Sequence, residues 1–322
     1  MTWHNEGIAL KLSRISTLAI AGATILAVAL GVPAATASEI ESAPSVTAIS
    51  ETASTFAPDL GTTAEAEASG QIFTANLAAA TAAIPVAPTG DITLSAREAP
   101  DLSVSLPAEV DVNEAQAAGN GSVVFTASDA DTTSVAVQPL ADGRVSVQTV
   151  IPDASAPMQY TYTFADTTAY LREDGGVDLT APIADGVGNV VIGSIDAPWA
   201  VDANGAAVPT QYVVDGPTVV QVITPNPDTA FPVVADPTFG HTYGIPTMYL
   251  SKKETREAAA DLTAVYILCG AAGLVFGGPF VVLCEGNAYL VQRQAKASAG
   301  KCVKVLLSPL AVSPQTFTDN CK

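Results

Sequence analysis

Basic side chains are scarce in this chain: 13 Lys and Arg stand against 32 Asp and Glu in 322 residues, a net charge of −19. Phosphate binding needs concentrated Lys and Arg, so nucleic acid is excluded as a partner. Histidine is rarer still, with two in all, and beyond the first few residues only His241 remains, in "TFGHTYG". A Ser-His-Asp triad would have to use it, yet there is no GxSxG elbow to accompany it. His241 reads instead as a loop histidine between two elements. Zinc needs three or four N, S or O ligands, which one His and four bridged cysteines do not supply. The acids are too numerous for any two to be singled out as a glycosidase pair. We therefore expect neither an enzyme nor a cofactor.

Cysteine is missing from the first 268 residues. All four, Cys269, Cys284, Cys302 and Cys321, fall in the last 54. An even, clustered set in an exported chain implies disulfides, and four cysteines allow three pairings.

Export is what the N-terminus predicts. Lys11 and Arg14 precede an apolar core, "LAIAGATILAVAL", and Ala35 and Ala37 occupy the −3 and −1 positions of a cut before Ser38. That core is shorter than the ~20 residues that span a bilayer. Residues 1–37 are read as a signal peptide. Residues 38–90, rich in Ala, Thr, Ser and Pro, are read as a disordered linker, because large apolar side chains are sparse there.

From 91 to 243 the pattern becomes short alternating strands with turn residues between them. "MQYTYTF" sets Tyr160, Tyr162 and Phe164 on one face, and "TAYLREDGGVDLT" reads strand, turn, strand. About ten strands at this spacing predict an antiparallel sandwich or meander. In "SDADTT", Asp129 and Asp131 could offer oxygens to calcium, as could Asp202 and Asn204 in "VDANG" with Asp196 upstream. Neither stretch completes an EF-hand loop, and Asp, Asn and Gly are also ordinary turn residues. Trp199 reads as a packed aromatic or as an exposed platform for a sugar or partner. Asp236-Pro237 is expected to end the last strand.

Residues 244–322 are read as a helical hairpin with a short terminal strand. Ser251 and Glu254 form a capping-box pattern. Residues 262–284 carry no charge, and "CGAAGLVFGGPFVVLC" poses a choice between a membrane span and a hairpin. In one straight helix Cys269 and Cys284 would stand roughly 22 Å apart, too far for a disulfide. A bend at Gly277-Gly278-Pro279 brings them together, and by elimination Cys302 then pairs with Cys321. The fold expected is mainly β followed by a disulfide-stapled helical hairpin.

"YTYTFADTTAYLREDGGVDL", "IDAPWAVDANGAAVPTQYVVDG" and "FPVVADPTFG", with the "SKKETREAA" helix opening and the "GKC" near the end, resemble a group of secreted actinobacterial proteins. The resemblance covers roughly 158–322. It implies secretion and this layout, and it implies no activity.

Charge is split along the chain. Residues 38–250 hold three basic residues (Arg97, Arg144, Arg172) and 26 acidic ones, and residues 251–322 hold eight and five. The first expectation is a secreted, non-enzymatic binding protein of the extracellular space or cell envelope, with cell wall or membrane surface as its partner. The other is an acidic carrier attached to a membrane-active C-terminal effector.

Overall fold

The computed structural model describes residues 45–97, 99–128, 133–183, 187–242, 246–308 and 311–322, with Phe276 described by its backbone alone. The expected export signal lies outside these residues, and so do Asp129 and Asp131. The described chain belongs to one compact unit, Ser42–Lys322.

The first structured stretch corrects an expectation. Residues 45–90 are not a disordered linker. They form helix α1 (Val46–Phe56) and the first three strands of a five-stranded antiparallel meander: β1 (Glu67–Ser69), β2 (Ile72–Asn76), β3 (Ala80–Pro85), β4 (Ile92–Ala96) and β5 (Ala99–Val104). Small side chains hid this fold. Phe73, Ala75, Ala82 and Ile84 alternate inward, and most of the large residues they pack on come from later strands. Ser45 caps α1, accepting the Ala48 N–H at 3.2 Å. The expected boundary at 90/91 falls inside this sheet.

The strands that follow are β6 (Gln116–Ala117), β7 (Val123–Phe125), β8 (Ser134–Pro139), β9 (Arg144–Ile151), β10 (Gln159–Thr163), β11 (Thr168–Leu171), β12 (Val177–Pro182), β13 (Asn189–Ile195), β14 (Ala200–Val201), β15 (Thr210–Asp215), β16 (Thr218–Ile223), β17 (Val233–Ala235), β18 (Thr238–His241) and β19 (Thr247–Tyr249). After four helices come β20 (Cys302–Ser308) and β21 (Ala311–Phe317). β10, β16 and β15 make a three-stranded sheet. The others join one sheet of thirteen strands, in the order β21-β20-β19-β13-β18-β9-β8-β7-β6, with β11-β12 branching from β13 and β14-β17 from β9. Every pairing is antiparallel, and β19–β21 bind the C-terminal region into the same sheet as the body.

One apolar cluster runs through all three sheets, with Leu94 and Leu102 from the first, Tyr160 and Tyr162 from the second, and Val145 and Phe239 from the third. Tyr160, Tyr162 and Phe164 are fully buried, as their alternation predicts, and Phe164 meets Phe239 edge-on at 5.4 Å. Each such side chain contributes about 1.5–3 kcal/mol by leaving water. Close approach of the sheets needs Gly193, because a Cβ there would lie 2.5 Å from Leu102 Cδ1 and 2.9 Å from the Gly240 carbonyl. On the other face of the large sheet, α1 packs Ile49 and Ala53 over Val124, Ala136, Val150 and Val234.

Candidate functional site

Four helices follow β19: α2 (Lys252–Ala260), α3 (Leu262–Phe276), α4 (Gly278–Gly286) and α5 (Ala288–Ala297). Ser251 caps α2 in a full capping box, and Glu254 also accepts the Gly188 N–H, which fastens the helix base to the chain before β13. The expected first helix is divided at Asp261, whose extended backbone ends α2 while its carboxylate accepts the Thr263 N–H at 2.9 Å and caps α3. The second is divided at Asn287.

The bend is where the sequence puts it. Gly277 takes φ of 90°, a conformation that other residues adopt at a cost, and Pro279 opens α4. Gly273 lets the arms touch, since a Cβ there would sit 2.0 Å from Val281 Cγ2. Cys269 and Cys284 are disulfide-bonded with Cα atoms 5.4 Å apart, and Cys302 is bonded to Cys321 at 5.5 Å. Among the described residues no helix is long and apolar enough to cross a membrane. The 262–284 run folds back rather than running straight.

The pinned hairpin has two unlike sides. Val265, Leu268, Cys269, Ala272, Cys284, Ala288, Val291 and Ala295 are buried. Nine large apolar side chains are exposed among the described residues, and seven lie between Tyr266 and Leu290. The extremes are Leu274 and Val282, 75% and 74% exposed, one on each arm near the bend. The root is firm by contrast. The Thr255 hydroxyl accepts the Val303 N–H at 3.1 Å, and Lys252 N–H reaches the Lys322 carbonyl at 2.8 Å. Tyr249 stacks on Tyr170 at 4.2 Å, Phe317 meets both edge-on, and the Tyr249 hydroxyl donates to Asp178 at 2.7 Å.

The other residues singled out from sequence are placed apart from the hairpin. His241 has Nδ1 3.3 Å from the Ile192 carbonyl and Nε2 3.1 Å from the Leu94 carbonyl, so it ties β18 to the first sheet. Asp202 is buried and accepts backbone N–H groups from Ala230 at 3.1 Å, Ala206 at 2.8 Å and Asn204 at 2.9 Å. Those amides hold its carboxyl below the usual range, and they occupy the oxygens considered for calcium. Asp196 does not join Asp202. It bonds Arg144 at 2.6 Å, and Arg144 also clasps Asp142 and the Leu60 carbonyl. Trp199 is half-buried beside α1, with its indole nitrogen enclosed.

Asp236-Pro237 ends β17 but not the ladder. β18 resumes at once, both strands pair with β9, and the Pro237 carbonyl still accepts the Val147 N–H at 2.8 Å. At this break Asp236 is fully buried. Its Oδ1 accepts the Trp199 N–H at 3.0 Å and the Gln221 amide at 3.1 Å. Its Oδ2, the Tyr212 hydroxyl, and Oε1 of Gln148 and of Gln221 are enclosed without hydrogen-bond partners. Burial pushes the Asp236 carboxyl up to about 8 against the pull of the Trp199 amide. Sequence reading missed this polar pocket of the core, because an Asp before Pro signals only a strand end.

No family model and no curated protein matches this chain.

Proposed function

We propose that this is a secreted, non-enzymatic protein of the extracellular space or cell envelope, and that it acts by binding through the pinned helical hairpin. One observation carries the reading: most of the large apolar side chains exposed among the described residues are gathered on this one projection. Soluble proteins scatter such residues, and a gathered set marks a contact surface. Export is supported by the N-terminal pattern and by two disulfides with no free cysteine among the described residues. A carrier that releases its tail fits the architecture less well, because release would break the β13–β19 pairing and the Tyr170–Tyr249 stack.

The test is sedimentation with isolated cell envelopes. Wild type should pellet with them, and the double variant L274S/V282S should stay in solution with its disulfides intact. Equal distribution of the two proteins would sink the hairpin as the contact surface.

A further inference from the structure

We infer that the hairpin's partner is a lipid bilayer surface, into which the bend dips to interfacial depth. This rests on the hairpin being the contact surface.

The first ground is what the tip lacks. Residues 267–283 contain no polar side chain at all. Protein–protein interfaces carry about one hydrogen bond per 100–200 Å², and this tip has no polar side chain with which to make one. Hydrocarbon is the medium that asks for none. Two N–H groups at the bend are paired: the Gly277 N–H bonds the Gly273 carbonyl at 2.9 Å and the Phe280 N–H bonds the Gly277 carbonyl at 3.1 Å. Pro279 has no N–H to satisfy. These pairings lower the cost of desolvating the bend, which favours an interfacial depth over full burial in lipid.

The second ground is depth. Glu285 is exposed and is the first charge met on leaving the bend, seven residues from Gly278, or about 10 Å of helix. Tyr266 of the opposite arm lines the same shallow cleft as Val282, Glu285 and Gly286. Tyr289 is exposed one position into α5. Tyrosines favour the headgroup level, and an interfacial element sinks about 5–10 Å. Glu285, with Tyr266 beside it, therefore marks a waterline, with Leu274, Val275 and Val282 beneath it.

The third ground is charge at the root. Arg293 and Lys296 on α5 and Lys252, Lys253 and Arg256 on α2 are exposed on the helices that flank the hairpin. Against them these two helices hold Glu254 and Glu257, the latter 3.8 Å from Lys253, so their balance is still positive and favours a phosphate layer, whereas that of the body at −23 does not.

Flotation with phosphatidylcholine vesicles, which carry no net charge, isolates the apolar contribution. The oxidised full protein should float, and L274S/V282S should partition about tenfold or more weakly. Circular dichroism and disulfide mapping establish that this variant is folded. E285Q should deepen the insertion and raise partition several-fold, with circular dichroism and disulfide map unchanged from wild type. Failure of wild type to float, or equal flotation of L274S/V282S, overturns the inference. So does a concentration-dependent dimer abolished by the same substitutions without vesicle binding. Tip-dependent envelope sedimentation without vesicle binding would reject lipid while leaving the hairpin as the contact surface.

Discussion

At Asp236 a carboxyl is enclosed with two amide donors and no cation among its hydrogen-bond partners. Its pKa rises from 3.8 to about 8, so between those values the folded chain holds a proton that the unfolded chain has released. Stability linked to this group is therefore full below about pH 4 and declines as pH rises towards 8, by up to about 1.4 kcal/mol per unit. The carboxyls of Asp142, Asp174 and Asp202 are shifted the other way, by Arg144, Arg172 and backbone amides respectively, so they act only below their usual range. Urea unfolding from pH 5 to 8 should show wild type weakening, while D236N, which keeps the shape without the titration, stays nearly level. A wild type that strengthens over this interval would contradict the assignment. None of this was legible beforehand, because burial of one Asp depends on which strands cover it, and β9, β14 and β16 come from far along the chain.

At the scale of elements, legibility tracked how local the cause is. The hairpin could be read because a Gly-Gly-Pro bend, two cysteines and an uncharged run lie within 23 residues. The hairpin turn between β11 and β12 was readable for the same reason. α1 and β1–β3 were not, since Ala and Thr pack well only when a larger partner is supplied from elsewhere. Within the hairpin, the disulfide closes a loop with a sequence separation of 15, which constrains the arms by about 3 kcal/mol. Replacing both cysteines in C269S/C284S should speed amide exchange in residues 262–284 by about a hundredfold. Exchange in β8 and β9 should be unchanged. Equal acceleration throughout would mean that the hairpin unfolds only with the body.

At the scale of the molecule, the separate regions expected from composition merge. The first sheet shares its core with the others, and β19–β21 extend the large sheet. A chain starting at Asp91 would lose α1 and β1–β3. It would uncover Leu94 and Leu102 on one side and Val124, Ala136 and Val150 on the other. We expect that fragment to bind a hydrophobic dye and to unfold without a cooperative transition, whereas a chain starting at Ser42 should unfold sharply on heating. A sharp melt from the shorter fragment would restore the linker reading.

The bond between Cys269 and Cys284 also bears on where the polypeptide can be made. In a reducing cytosol the two greasy arms would hang unfastened, free to snag neighbouring chains before the sheet closes. Oxidative folding removes that hazard, so a recombinant host that routes the product through its oxidising periplasm should yield monomer where the cytosol yields inclusion bodies.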